Sequence, residues 1–209
     1  MNIVIFGASG ATGQQLVKQA ISKGYHVTAF LRQTSKFSLV HDRLNIIRGD
    51  INNLEQVLEV LDEKDAVLSA LGASSPFSYD QSLVDGFKVI IKGMEICEIN
   101  RFVYMSFMGV KDSRKQAGVI VKYLAPVLLG TEIKGHENRE KMIMESDLGW
   151  TIVRPPTLTN GKQLGKYRSG EDIHSTRFAD TISRADVAEF MLSQLTNDQY
   201  LFSKPALMY

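Results

Sequence analysis

The sequence predicts an α/β protein built on a single doubly wound parallel sheet with helices on both faces. Three observations carry that prediction. Short β-branched runs alternate with longer segments of helical period along most of the chain. The runs are apolar throughout, which suits strands covered on both sides. Three glycines, Gly7, Gly10 and Gly13, follow the first run where a helical pattern begins.

In order, "NIVIF" (2–6) reads as a strand and 11–23 as a helix closed by Gly24. "HVTAFL" (26–31) and "LNIIRG" (44–49) read as strands two and three, followed by a helix over 53–61. "DAVLSAL" (65–71) is the fourth strand, 80–98 a helix, and "RFVYMS" (101–106) the fifth strand. Helices are expected over 114–128 and 131–146, then "WTIVR" (150–154) as the sixth strand. Beyond Arg154 the pattern loosens: short strands at 165–170 and 172–178, a helix over 183–195 and a last strand at 199–204. Asn53 with Gln56, and Ser183 with Asp186, read as helix-start pairs, the second a capping box. The apolar stretch 114–129 reads as core or a lid, with dimer contact as the lesser alternative.

The 209 residues are ample for one buried core, and no linker-like shift divides them. Residues 1–209 therefore read as one domain, with a substrate pocket built from 107–136 and 155–180. A net charge of +1 argues against a nucleic-acid surface or a polybasic membrane patch. The longest apolar stretch, 117–130, is too short to span a bilayer and carries Lys122 and Pro126. No basic region precedes the first apolar run, so no signal peptide is expected. The lone Cys97 excludes an intramolecular disulfide and reads as a buried thiol, which fits the cytoplasm.

The glycines occupy the first strand-to-helix turn, where backbone N–H groups can hold a diphosphate. Gly7 permits a sharp turn, Gly10 lets a phosphate approach the backbone, and Gly13 lets the helix sit close to the strand. Ser9 and Thr12 supply hydroxyls at the same mouth. An acidic residue after the second strand would select NAD; here the place holds Arg32. Arg32, Lys36, Arg43 and Arg48 against Asp42 make that region locally basic. Arginine suits a 2′-phosphate, so NADP(H) is expected, with Ser35 and Lys36 as helpers. Asp50, Leu71 with Gly72, and Ser106 follow strands three, four and five. They are placed to meet adenine, the cofactor's middle and the nicotinamide.

"GASGATG", "LRQTSK", "GDI", "YMS", "GWTIVRPPTLTNG" and "ISRADVAEFML" occur in the order seen in one family. The chain resembles the atypical short-chain dehydrogenase/reductases with an NAD(P)H-binding, NmrA-like domain, and among them the flavin and biliverdin reductases. The resemblance covers nearly the whole chain. It implies a Rossmann-type fold, NADPH, and a flavin- or bilin-like acceptor over the nicotinamide. It also implies cofactor contacts at Gly7, Ser9, Gly10, Ala11, Thr12, Arg32, Asp50, Leu71, Gly72 and Ser106, with Gly13, Ile51 and Pro155 beside them. His136 and the Pro155–Pro156 pair match groups near the reacting centre. There are departures: Thr157 stands where the flavin and biliverdin reductases have a histidine, and "ASSPF" replaces an arginine-bearing run. Segment 114–135 is also longer and more apolar.

Ordinary short-chain dehydrogenases use Tyr-x-x-x-Lys on the helix after strand five. The only such spacing here, Tyr200 to Lys204, falls in an expected strand. There the residues would stand about 13 Å apart, against about 6 Å in a helix. Hydride transfer to a flavin needs no such pair, only two planes held in contact without water. Phe107, Met108, Pro156, Thr157 and Leu158 are expected to line that contact, Ser106 to orient the nicotinamide or the acceptor, and His136 to donate to substrate. The leading expectation is an NADPH-dependent reductase of flavins or similar acceptors. The alternatives are a non-catalytic NADP(H) sensor and a nucleotide-linked epimerase, the latter disfavoured by the lack of a sizeable domain after strand six. The expected partners are a small molecule and, in a weak homodimer if not a monomer, a second copy of the chain; no nucleic acid, membrane or metal is expected.

Overall fold

A computed structural model of the protein describes residues 1–32, 37–73, 79–175 and 177–209. Six strands form the central sheet: β1 (Asn2–Phe6), β2 (His26–Leu31), β3 (Leu44–Arg48), β4 (Ala66–Ser69), β5 (Arg101–Met105) and β6 (Gly149–Val153). Their order is β3-β2-β1-β4-β5-β6, and every pair is parallel. The chain thus starts in the middle, winds outward to β3, then crosses back and winds to β6. The reversal between β1 and β4 leaves a crevice at the carboxyl ends of the strands, where open α/β sheets take ligands.

The continuous apolar runs divide between two cores. Ile3, Ile5, Val27, Ala29, Leu68, Val103 and Val153 face one side, against α1 (Ala11–Ser22) and α6 (Arg184–Ser193). Val4, Phe6, Phe30, Val67, Phe102, Tyr104 and Ile152 face the other. There they meet α2 (Leu54–Leu61), α3 (Gln81–Ile96) and α5 (Gly130–Met144). Successive residues point to opposite faces, so a strand with both faces covered must be apolar at every position. Asn53 caps α2 by accepting from the Gln56 N–H, and Ser183 caps α6 by accepting from the Asp186 N–H.

The expected helix over 114–128 is broken. A 3-10 turn (Lys111–Lys115), a π turn (Ile120–Leu124) and the short α4 (Ala125–Leu128) stand in its place. Pro126 has no N–H and is tolerated only in a helix's first turn, so α4 must begin beside it. Gly118 lies so close to the Arg177 carbonyl that an added Cβ would stand 2.8 Å from it. A regular helix cannot make that approach and satisfy the proline together. The broken segment still buries Val121 and Ala125 with Met108, Ile133 and Met208 in a third, small core.

The last third also differs. Residues 199–204 form a turn held by Leu201 N–H to Asp198 O and Ser203 N–H to Tyr200 O, with Phe202 at φ +56°. The terminal strand is β10 (Ala206–Met208), pairing antiparallel with β8 (Arg168–Gly170). The described part of 172–178 forms no strand, and the short parallel pair β7 (Thr157–Thr159) with β9 (Thr181–Ser183) appears instead. Cys97 is half-buried because it is the C-cap of α3, at the helix end and not on its packed face. Burial still pushes its thiol pKa up, with the charge of Asp62 adding to the effect. Among the described residues no helix is long and apolar enough to cross a membrane.

Candidate functional site

A cleft of about 490 Å³ opens at the carboxyl ends of β1 to β4. It brings together Gly7, Ser9, Gly10, Arg32, Asp50, Ile51, Leu71 and Gly72 from four separate loops. Gly7 adopts φ +79°, and a Cβ there would stand 2.7 Å from the Ala70 backbone, so β1 can turn beside β4 only with glycine. A Cβ on Gly13 would stand 2.1 Å from the Gly7 carbonyl oxygen, so α1 could not pack so tightly against the turn. On Gly10 a Cβ would meet only the Gly7 oxygen, at 3.3 Å, and would otherwise enter the cleft.

Gly10 is the N-cap of α1, no side chain caps that helix, and its first turn holds no acidic residue. By contrast, α2, α3 and α6 are capped by Asn53, Asp80 and Ser183. A helix start left uncapped beside a cleft offers backbone N–H groups and a positive dipole end to an anion. Ala11, Thr12 and Gly13 form that first turn, with Thr12 and Gly13 buried behind the cleft wall.

At the other end, Arg32 and Asp50 are both exposed on the rim. Asp50 Oδ1 accepts from the Asn52 N–H at 2.9 Å and its side-chain amide at 3.1 Å. Those bonds, with the positive charge of Arg32 adding to them, hold the Asp50 carboxyl below its usual pKa. Asn52 reaches on to Ser82 Oγ at 3.0 Å. Asn52, Asp80, Ser82 and Ala73 line the cleft without having been expected. The Asp-x-Asn spacing after strand three was the available signal for Asn52. Ser35 and Lys36 lie outside the described residues.

Ser106, His136 and Pro155 are not part of this cleft. They belong to a second region, where β5 and β6 end. Phe107 and Leu158 are half-buried there, Met108 and Pro156 buried, and Thr157 exposed. The same strand ends and α5 carry a buried polar network. Ser106 Oγ donates to Glu140 Oε1 at 2.5 Å, and Arg154 donates to both Glu140 oxygens at 3.0 and 2.6 Å. Glu140 is 0% exposed and Arg154 2%. Tyr104 OH stands 2.7 Å from His136 Nδ1 and accepts from Arg139 Nε at 2.8 Å. His136 Nε2 and Arg139 both reach Glu132 Oε1, at 3.2 and 2.9 Å. The same oxygen accepts the N–H of Ala73, a cleft residue, at 3.4 Å.

Burial, reinforced by the charge of Arg139, holds His136 well below its usual pKa, so the ring is neutral. Burial likewise raises the Tyr104 phenol far above its usual value. His136 was expected to donate to substrate; instead both its ring nitrogens face partners inside the protein. Tyr104, Glu132, Arg139, Glu140 and Arg154 were all missed. Glu132, His136 and Glu140 recur every fourth residue on α5, which places them on one face and was the signal available. Tyr200, of the lone Tyr-x-x-x-Lys match, bonds Ser169 through its hydroxyl at 3.0 and 3.1 Å.

Residues 7–198 match the profile of the NAD(P)H-binding family, and the chain belongs to that family. An uncharacterized chloroplastic protein of Arabidopsis thaliana is 30% identical over 96% of this chain and 74% of its own length. A short-chain dehydrogenase/reductase of Veillonella parvula, solved with NADP, superposes with a TM-score of 0.82. It is 20% identical, over 99% of this chain and 93% of that one. An anaerobilin reductase of Escherichia coli O157:H7 superposes with a TM-score of 0.81, at 19% identity over 99% and 96% of the two chains. Other relatives are named as an uncharacterized sugar epimerase and as photosystem II assembly factors. These show the fold to be a Rossmann-type one, and the family match shows it to be NAD(P)H-binding; names so diverse carry no single reaction.

Proposed function

We propose that the protein is an NADPH-dependent reductase that passes hydride to a flavin or a similar conjugated acceptor. The observation that carries this is the chemistry of the two regions taken together. One offers an uncapped helix start and the Arg32 guanidinium at its rim; the other combines apolar groups with a buried network of bonded ions. The cleft fits a dinucleotide: the α1 N–H groups and Ser9 suit the diphosphate, Arg32 a 2′-phosphate, and Asp50 with Asn52 the adenine end. When bound, the cofactor supplies a hydride from its nicotinamide ring. The chain's own task is then to orient two planes and keep water out. Phe107, Leu158 and Pro156 supply the apolar contact, Ser106 orients, and no described side chain there stands free to act as the essential acid. The proton needed by the reduced acceptor comes from solvent. The anaerobilin reductase, which shares the fold, supports an acceptor of conjugated type. The protein acts on a small molecule, as a monomer or weak homodimer in a reducing compartment such as the cytoplasm.

A second reading is favoured by the buried network itself: a non-catalytic NADP(H) sensor would keep the cleft and need no free acid. NADPH oxidation against FMN, FAD, riboflavin, bilins and quinones separates the two. Turnover with any of these supports the reductase. Tight NADPH binding with no turnover on any overturns it and leaves the sensor.

A further inference from the structure

The directions of the buried hydrogen bonds are set by the ions at their ends. Arginine only donates and an ionised carboxylate only accepts. Arg139 Nε gives its proton to Tyr104 OH, so the phenol's own proton goes to His136 Nδ1. With Nδ1 accepting, the ring proton sits on Nε2 and points to Glu132 Oε1, which Arg139 also reaches. The ring of four residues is closed, and the reverse tautomer would set a bare nitrogen against a carboxylate. His136 therefore has no proton to give Ser106, whose Oγ lies 3.4 Å from Nδ1. Glu140, held by two bonds from Arg154, is an acceptor, so the Ser106 proton must go to it. Ser106 is 4% exposed and has only lone pairs to offer a ligand.

We infer that Glu140 and Arg154 are positioning residues that turn the Ser106 proton inward, so that Ser106 receives a hydrogen bond from the carboxamide NH2 of a bound nicotinamide. This rests on the reading that the nicotinamide lies at the end of β5. It explains why a chain would keep a buried ion pair that apolar residues of similar volume would replace at little cost to stability. The hydroxyl's polarity is thereby fixed before the ligand arrives, so little ordering is needed when it binds.

The test needs no hydride acceptor. The whole protein is titrated calorimetrically with NADP⁺ and with its 3-acetylpyridine analogue, in which a methyl replaces the amide NH2. NADP⁺ is expected to bind about 5- to 10-fold more tightly, the scale of one neutral hydrogen bond. Ser106→Ala is expected to remove that preference by weakening NADP⁺ alone. Glu140→Gln frees the Ser106 proton and is expected to shrink the same ratio, which a merely structural role would leave unchanged while lowering both affinities. If that variant does not fold, Glu140→Asp, whose shorter side chain draws the carboxylate back from Ser106, takes its place; a ratio left unchanged in the variant that folds overturns the positioning role. Equal affinities in the parent, or equal losses for both ligands in Ser106→Ala, overturn the inference. Absence of turnover with every acceptor would overturn the reductase reading and leave this one standing.

Discussion

The two ends of the site are built on opposite principles. The cleft at β1 to β4 uses backbone N–H groups and exposed polar side chains, left unsatisfied by the protein's own contacts at the α1 start. The region at the ends of β5 and β6 uses ions removed from water and bonded to one another. A surface that must take up a charged ligand keeps its donors open. A surface that must hold one hydroxyl in one orientation saturates every partner. The first is cheap to disturb in stability and costly in binding, and the second the reverse.

The largest effect that would sharpen this contrast is expected from Arg154→Leu. It strands the Glu140 carboxylate without its counter-ion and should cost about 3–5 kcal/mol of folding free energy. Chemical denaturation measures it; a cost below about 1 kcal/mol would mean that the pair is not holding the region together. Gly10→Val is the counterpart in the cleft. A Cβ there meets only the Gly7 oxygen within 4 Å, so the unfolding temperature should stay near that of the parent. Dinucleotide affinity should fall by about 100-fold or more, since the side chain takes the place of a phosphate. Loss of stability as large as that of Arg154→Leu would erase the distinction between the regions.

Arg32→Ala should weaken NADPH by about 10- to 100-fold and leave NADH nearly unchanged, because only the 2′-phosphate loses its charge-assisted pair. Calorimetric titration with both cofactors checks this, and equal affinities in the parent would remove the basis for NADP(H). The smallest effect is a pH dependence confined to the buried side. His136 in the folded chain lies below its ordinary value of 6.5, so the unfolded chain takes up the proton first as pH falls. Its contribution is complete above that value and is lost below it. By pH 5.5 the loss should be on the order of 1 kcal/mol, and His136→Asn should flatten that part of the stability curve. An unchanged slope in the variant would show that His136 is not the group responsible.

The sheet, its winding and the glycine turn were legible in the sequence because each is a local matter. A strand covered on both faces must be apolar at every position, and the run is visible whatever its neighbours are. Gly13 stands where a Cβ would strike the Gly7 carbonyl of the same turn, and Gly7 has φ +79°, so both places are readable locally, although the backbone that a Cβ on Gly7 would strike belongs to Ala70 at the end of β4. Arg32, Asp50 and Gly72 follow strand ends, and strand ends in a doubly wound sheet converge by topology. In 114–128 Pro126 was a local signal for a helix start, but tertiary structure decided the rest of the break, where Gly118 passes the carbonyl of Arg177 from a distant loop. Tertiary structure alone decided that Ser106, His136, Glu140 and Arg154 meet, since they come from β5, α5 and the end of β6. Their charges read in sequence as ordinary polar positions. What made them a network was removal from water, and burial is a property of the whole chain packed together, not of any segment of it.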